Sequence, residues 1–317
     1  MNILSLCDGI SCGQIALKKA NIKINKYFAS EIDKNAIKVT QSNFPKTIQL
    51  GDITKINKEQ LKQLPKIDLI LCGSPCQGFS RNGKCLNFND KRSKLFFEFV
   101  RILNWIKESN NPNIKFLFEN VEMKKEWRDI ISEYLKVDYI LINSKVVSAQ
   151  NRPRLYWSNI ENITIPNDKN IKLLDILDIN INTEKYIHKN GLLIDSNINS
   201  NSINIVNKVN NEVRILQATK KGYIVANNGD GLNLGFPKSK TRRGRVIKQK
   251  SSTLDCGCDI CCIHGNIIRK LNINELERLQ TLPLGYTSCL TSESARKKCI
   301  GNGWTVDIIS YILNELN

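Results

Sequence analysis

An α/β fold on a Rossmann-like, doubly wound and mostly parallel sheet is what the first half of this 317-residue chain predicts. Short apolar runs bounded by Gly, Asp, Pro or Asn alternate there with longer segments of helical period. The first run also leads directly into a glycine-bearing turn and a helix, the order in which such sheets present a cofactor site. A change of texture near residue 186 adds a third expectation, an inserted, loop-rich small module.

The strand candidates in order are NILSL, KYFASE, TIQLGD, IDLILCGS, KFLFENV and RLYWSNI. Between them, KSKLFFEFVRILNWI places Leu95, Phe96, Phe99, Val100, Leu103 and Ile106 on one helical stripe, and EWRDIISEYL reads the same way. From 186 to 268 the chain turns Asn- and Gly-rich, with short β-like pieces and twelve Lys and Arg against five Asp and Glu. NINELERLQTL, SARKKCI and VDIISYILNEL then return to helical period. This organisation predicts a catalytic domain over 1–185, an insertion over 186–268 and C-terminal helices over 269–317 that rejoin the first domain.

Composition is globular, with 41% hydrophobic and 24% charged residues. Forty-seven Lys and Arg against 30 Asp and Glu give a net charge of +17, a field that attracts polyanions and makes nucleic acid the first partner to expect. No run of ~18 apolar residues occurs, and Asp8 comes too early for a signal peptide. The expectation is a cytoplasmic, soluble monomer with no membrane partner. Eleven scattered cysteines predict reduced thiols, a metal cluster or a nucleophile rather than a disulfide framework.

The turn Cys7-Asp8-Gly9-Ile10-Ser11-Cys12-Gly13 lacks the glycine spacing that lets bare amides meet a pyrophosphate, and it carries a carboxylate that repels one. A nicotinamide oxidoreductase is therefore disfavoured. Asp8 suits a cofactor bearing an ammonium and a sulfonium. Glu31, 22 residues after Gly9 at the end of the second strand, is placed to accept from ribose hydroxyls, and Asp52 at the end of the third to take an adenine amino group. A single acid there is an ordinary turn former. Three on successive strands point to a nucleoside site.

GSPCQGFS follows the fourth strand, so Cys76 sits where parallel sheets hold their reactive groups, with Pro75 restricting the backbone. Glu119 ends the fifth strand one position over. Arg152 and Arg154 in QNRPR have period two, which predicts two guanidinium groups on one face. Alone, each has a bland reading: an inert thiol, a helix cap, surface arginines. Together they make a site.

The ordered motifs CDGISCG with Glu31 and Asp52, GSPCQGFS, FENV, QNRPR and IGNGWTV resemble those of the cytosine-5 DNA methyltransferase family of bacteria and phages over nearly the whole chain. Two positions depart from the family pattern: Cys7 stands in place of an adenine-stacking Phe, and Ser11 in place of a glycine. The resemblance implies a class I methyltransferase fold and S-adenosyl-L-methionine as cofactor. It implies cofactor contacts from Cys7, Asp8, Gly9, Ile10, Gly13, Glu31, Ile32, Asp52, Ile53, Pro75, Leu95 and Asn302. It also implies catalysis by Cys76, Glu119, Arg152 and Arg154 on a cytosine flipped out of double-stranded DNA, with the module at 186–268 recognising the target.

DNA contacts are expected from Gln77, Ser80 and Arg81 after the nucleophile, in a loop able to close over the substrate. Others are expected from Lys240, Arg242, Arg243 and Arg245 in KSKTRRGRVIKQK, which holds seven positive and no negative side chains. Cys256, Cys258, Cys261, Cys262 and His264 invite a zinc reading. Their spacing is poor for one, so free thiols on a DNA-facing loop and no metal are expected. The rival readings are an RNA (tRNA) cytosine-5 methyltransferase and a non-catalytic DNA-binding regulator. The basic insertion of ~80 residues favours DNA over the first, and the intact Cys76, Glu119 and Arg152 argue against the second.

Overall fold

A computed structural model describes residues 1–74, 94–179 and 182–317. Asn2–Leu6 (β1) lies at the centre of a sheet, paired in parallel with Lys26–Ser30 (β2) on one side and Leu69–Gly73 (β4) on the other. Ile48–Gln49 (β3) extends the β2 side, and Lys115–Val121 (β5) the β4 side. Pro153–Ser158 (β7) runs antiparallel to β5, and Tyr139–Asn143 (β6) pairs antiparallel with β7 at the edge. Among the described residues the order is β3-β2-β1-β4-β5-β7-β6. The β6 strand is absent from the sequence expectations, although Tyr139 to Ile142 form an apolar run; at the sheet edge only Ile142 of it is fully buried.

The central strands are apolar on both faces because each face is covered. In β4, Leu69 and Leu71 point into one core while Ile70 and Cys72 point into the other. The first core is closed by Cys12–Lys19 (α1), Lys34–Asn43 (α2), Ile273–Leu279 (α7), Glu293–Asn302 (α8) and Val306–Leu313 (α9). Lys58–Lys62 (α3), Leu95–Ser109 (α4) and Lys125–Leu135 (α5) cover the second, and Ser200–Ile203 (α6) packs on a third, smaller core. The predicted stripe on α4 explains its docking: Phe96 and Phe99 meet Phe118 of β5 with ring centroids 5.4 and 5.1 Å apart. Each such buried side chain contributes roughly 1.5–3 kcal/mol.

Two smaller sheets follow. One holds Val206–Val209, Glu212–Leu216 and Tyr223–Ala226; the other includes Tyr186–Lys189, Leu192–Asp195, Gly231–Asn233, Arg245–Ile247, Cys261–His264 and Ile267–Lys270. This part differs from one contiguous insertion over 186–268. Ser251 bridges to Gln150, and Leu254, Cys258 and Ile260 are buried in the first core, so the chain returns to the large sheet before re-entering the small one. The strand Cys261–His264 is shared between cores, with Cys261 and Ile263 on the small-module side and Cys262 on the other. The link to α7 is fixed by a buried pair, Arg269 with Glu275 at 2.6 and 2.8 Å, whose carboxylate also caps α7 through Asn272 N–H. No helix among the described residues is long and apolar enough to cross a membrane.

Candidate active site

Glu119 stands beside Gly73 in the register of β5 and β4, at the carboxyl edge of the sheet. Its Oε1 receives Arg154 Nε at 2.9 Å and its Oε2 receives the indole Nε1 of Trp304 at 2.9 Å, with the Arg and Glu side chains only 11% and 10% exposed. The next residue, Asn120, is buried and donates through Nδ2 to Ser74 Oγ at 3.1 Å. That bond ties the end of β5 to the residue before Pro75-Cys76. Pro75, Cys76, Gln77, Ser80 and Arg81, with the expected closing loop, lie outside the described residues.

Arg152 and Arg154 do different work. Arg152 is buried and donates to the carbonyls of Leu254, Gly301 and Gly303 at 2.9, 3.2 and 3.0 Å. Arg152 thus ties three carbonyls together behind the site, while Arg154 reaches Glu119. Gln150 of the same motif is likewise structural. It bonds Leu279 O, Gln280 Oε1 and Leu254 N, and so joins its own segment to two others distant in sequence.

Two strands over on the same carboxyl edge, the turn after β1 is strongly bent, with positive φ at Cys7 (53°), Gly9 (59°) and Ser11 (55°). Asp8 faces inward. Tyr27 Oη donates to its Oδ1 at 2.7 Å and Ser11 Oγ donates to its Oδ2, while burial pushes its carboxyl up to about 6. Glu31 accepts from the backbone N–H of Gly9, Ile32 and Asp33 at 2.8, 2.7 and 2.8 Å. Through these bonds both acids organise the loops of the site.

Other candidates separate by burial. Ile10 and Ile53 are core residues, so only their backbones can face a ligand. Gly13 is a packing glycine: a Cβ there would come within 2.6 Å of Leu71 Cδ1 and 2.9 Å of Tyr27 Oη. Leu95 and Cys7 are half-buried and lean on the second core. Ile32, by contrast, is 70% exposed beside Glu31, and Gly9 has open space where a Cβ would be. Asp52 is half-buried, its Oδ1 accepting from Thr54 N and Oγ1 at 2.9 and 2.8 Å, bonds that lower its carboxyl below the usual range. Asn302 is exposed at the end of α8 and accepts from Cys256 Sγ at 3.1 Å. An apolar side chain, an acid and open backbone thus lie along three strand ends.

A sequence profile of C-5 cytosine-specific DNA methylases matches residues 1–317. The chain belongs to that family. It is 34% identical over 193 residues to the orphan methyltransferase M.SPRI of Bacillus phage SPR, covering 56% of this chain and 42% of that protein. With the type II methyltransferase M.NgoBV of Neisseria gonorrhoeae it shares 31% identity over 207 residues, 58% of this chain and 47% of the relative. The matches thus span less than half the length of these relatives. Among solved structures, a variant of Spodoptera frugiperda DNMT2 superposes with a TM-score of 0.62 at 21% identity, covering 99% of both chains. Dnmt2 of S. pombe gives 0.63 at 16%, covering 99% of this chain and 97% of that one. Those two likenesses concern the fold.

In this chain the basic run 238–250 is only partly available to a ligand. Lys250 Nζ donates to the carbonyls of Lys145, Ser148 and Ile171, and Lys248 pairs with the buried Asp230 at 2.8 Å. Arg243 is half-buried and donates to Gln217 O, with its Nε buried. Arg242 lies 4.8 Å over the Phe236 ring, while Lys240 and Arg245 are exposed.

The cysteine cluster is also corrected. Cys258, Cys261 and Cys262 are buried rather than on a DNA-facing loop, and burial pushes the Cys258 and Cys262 thiols up to about 12. Adjacent residues of a strand face opposite ways, so Cys261 and Cys262 do not converge. Trp304 is the site residue that sequence reasoning missed. Its signal was the single aromatic between the glycines and the helix in IGNGWTV.

Proposed function

We propose that the protein transfers a methyl group from S-adenosyl-L-methionine to carbon 5 of a cytosine flipped out of double-stranded DNA. The observation that carries this reading is Glu119, fixed by Arg154 and Trp304 beside Gly73 and joined through Asn120 to the segment that continues into Pro75-Cys76. Carbon 5 of cytosine is a weak nucleophile. Addition of the Cys76 thiolate to carbon 6 moves electron density onto carbon 5, and Glu119 shares a proton with ring nitrogen 3 and accepts from the exocyclic amine as that charge develops. Carbon 5 would form its new bond to the methyl carbon as that carbon's bond to the donor sulfonium breaks, the electron pair staying on sulfur to leave S-adenosyl-L-homocysteine; the carbon 5 proton then leaves to solvent and the sulfur–carbon 6 bond breaks to release Cys76 and 5-methylcytosine.

Ile32 and Asp52, with the backbone of the Gly9 turn, would hold the cofactor's nucleoside, and the loop bonds made by Asp8 and Glu31 keep that edge in shape. When bound, the cofactor supplies an electrophilic methyl group. Extruding the cytosine costs a few kcal/mol, and a basic module offsets part of it through phosphate contacts. Lys240 and Arg245 on the small module are exposed for that purpose, with Arg242 and Phe236 beside them.

The test uses duplexes carrying 5-fluorocytosine in a sequence found by bisulfite mapping of DNA from expressing cells. The wild-type protein with cofactor should form a crosslinked species, and Cys76→Ala should form none. Absence of a crosslink at saturating cofactor, or methyl incorporation into tRNA in preference to duplex DNA, overturns the reading.

A further inference from the structure

We infer that Trp304 is a positioning residue whose indole N–H fixes the orientation of the Glu119 carboxylate. The inference rests on the methyl-transfer reading above and assigns a part of that site with no signature in the Cys, Glu and Arg motifs. An indole has one polar group, a donor. Trp304 spends it on Glu119 Oε2 at 2.9 Å, across 185 residues of sequence.

The ring is held for this purpose from both sides. It lies against Gly73, where a Cβ would come within 2.6 Å of the indole nitrogen and 3.0 Å of two ring carbons. The backbone just before it is bolted down by buried side chains. Arg152 donates to Gly301 O and Gly303 O, and Gln280 donates to Ile300 O and Gly303 O, both at 2.9 Å. On the far side, Thr305 Oγ1 donates to Gln280 Oε1 at 3.0 Å.

With Arg154 on Oε1 and Trp304 on Oε2, one donor holds each oxygen and the plane of the carboxylate is set. A carboxylate offers about four lone-pair sites, so capacity remains on each oxygen to accept from the N–H groups of an aminopyrimidine. Without the indole donor the carboxylate hinges on Arg154 alone, and a displacement of about 1 Å at a reacting group costs on the order of 100-fold in rate.

The test has two readouts on the full-length protein. With 15N-labelled tryptophan, the indole resonance that disappears in W304F identifies Trp304, and that resonance should shift in E119Q while those of Trp105, Trp127 and Trp157 stay in place. In methyl transfer to the mapped duplex, W304F should lower kcat about 100-fold, with the KM for DNA changed by less than about threefold. The same substitution added to E119Q should lower kcat no further. A Trp304 resonance indifferent to E119Q, or losses that add in the double variant, overturns the inference. Should the wild type transfer no methyl group to DNA, the proposed function fails, and the indole resonance still decides whether Trp304 holds Glu119.

Discussion

The side-chain amide of Asn120 donates to Ser74 Oγ at 3.1 Å, and both residues are buried at the carboxyl edge of the large sheet. The same Asn carries Val121 N–H on its Oδ1 at 2.8 Å, so its orientation is fixed by the strand itself. Asn120→Ala leaves the Ser74 hydroxyl without this donor and should cost about 1–3 kcal/mol of stability. It should also slow methyl transfer by at least about tenfold, because the segment entering Pro75-Cys76 loses its tether to Glu119's strand. Urea unfolding and single-turnover kinetics check the two effects separately; activity as in the wild type would show that the tether is dispensable.

The two arginines of QNRPR should fail in different ways. Arg152→Ala removes the donors to three carbonyls of segments distant in sequence, and the buried acceptors left behind predict a loss of about 3 kcal/mol or more. Arg154→Ala leaves Glu119 held by Trp304 alone. Its expected signature is a kcat about 100-fold lower with a smaller fall in the urea midpoint than Arg152→Ala shows. Equal stability losses with equal rate losses would remove the distinction between bolt and site residue.

How much of this was legible in the chain follows from which interactions are local. NILSL, IDLILCGS and KFLFENV read as strands because both their faces are buried, and the helical stripe from Phe96 to Ile106 marks the face that meets Phe118. The acids at positions 8 and 31 were visible at their strand ends, but not that a tyrosine hydroxyl and backbone amides would claim them, since turn conformation decides which way a carboxylate points. Arg152 and Arg154 share a period-two spacing, yet residues 301–303 supply carbonyls to one while Glu119 receives the other. The return of residues 251–260 to the large core was hidden for a related reason. Leu254 and Ile260 are unremarkable apolar residues in a polar stretch, and the core they join is built from segments distant in sequence.

Asp8 makes stability depend on pH. Its carboxyl is raised from an ordinary value of 3.8 to about 6, chiefly because burial penalises the charged form. A folded-state value above the unfolded one means that the contribution is fully present below pH 3.8 and is lost as pH rises through about 6. A shift of this size corresponds to about 3 kcal/mol at most. Asp8→Asn, which keeps an oxygen for Tyr27 Oη, should therefore flatten the part of the stability profile between pH 4 and 7 that Asp8 controls. Urea midpoints measured across that range for both proteins test this, and parallel profiles would show that Asp8 titrates as an ordinary carboxylate.

Charge on the small module should divide into residues that bind and residues that hold. Lys240 and Arg245 are exposed, with no internal partner claimed for their charge by the described residues, so each should neutralise a phosphate. Replacing either by Ala should weaken duplex binding and reduce the slope of log K against log salt by about one. Lys250 carries the same formal charge but buries it against three carbonyls, and desolvation lowers its ammonium below the usual range. Lys250→Met should leave the salt slope unchanged and lower the urea midpoint instead, because those carbonyls lose their shared donor. Fluorescence anisotropy on a labelled duplex at several salt concentrations separates the cases. A full unit of slope lost in Lys250→Met would place that ammonium at the DNA backbone and contradict the division.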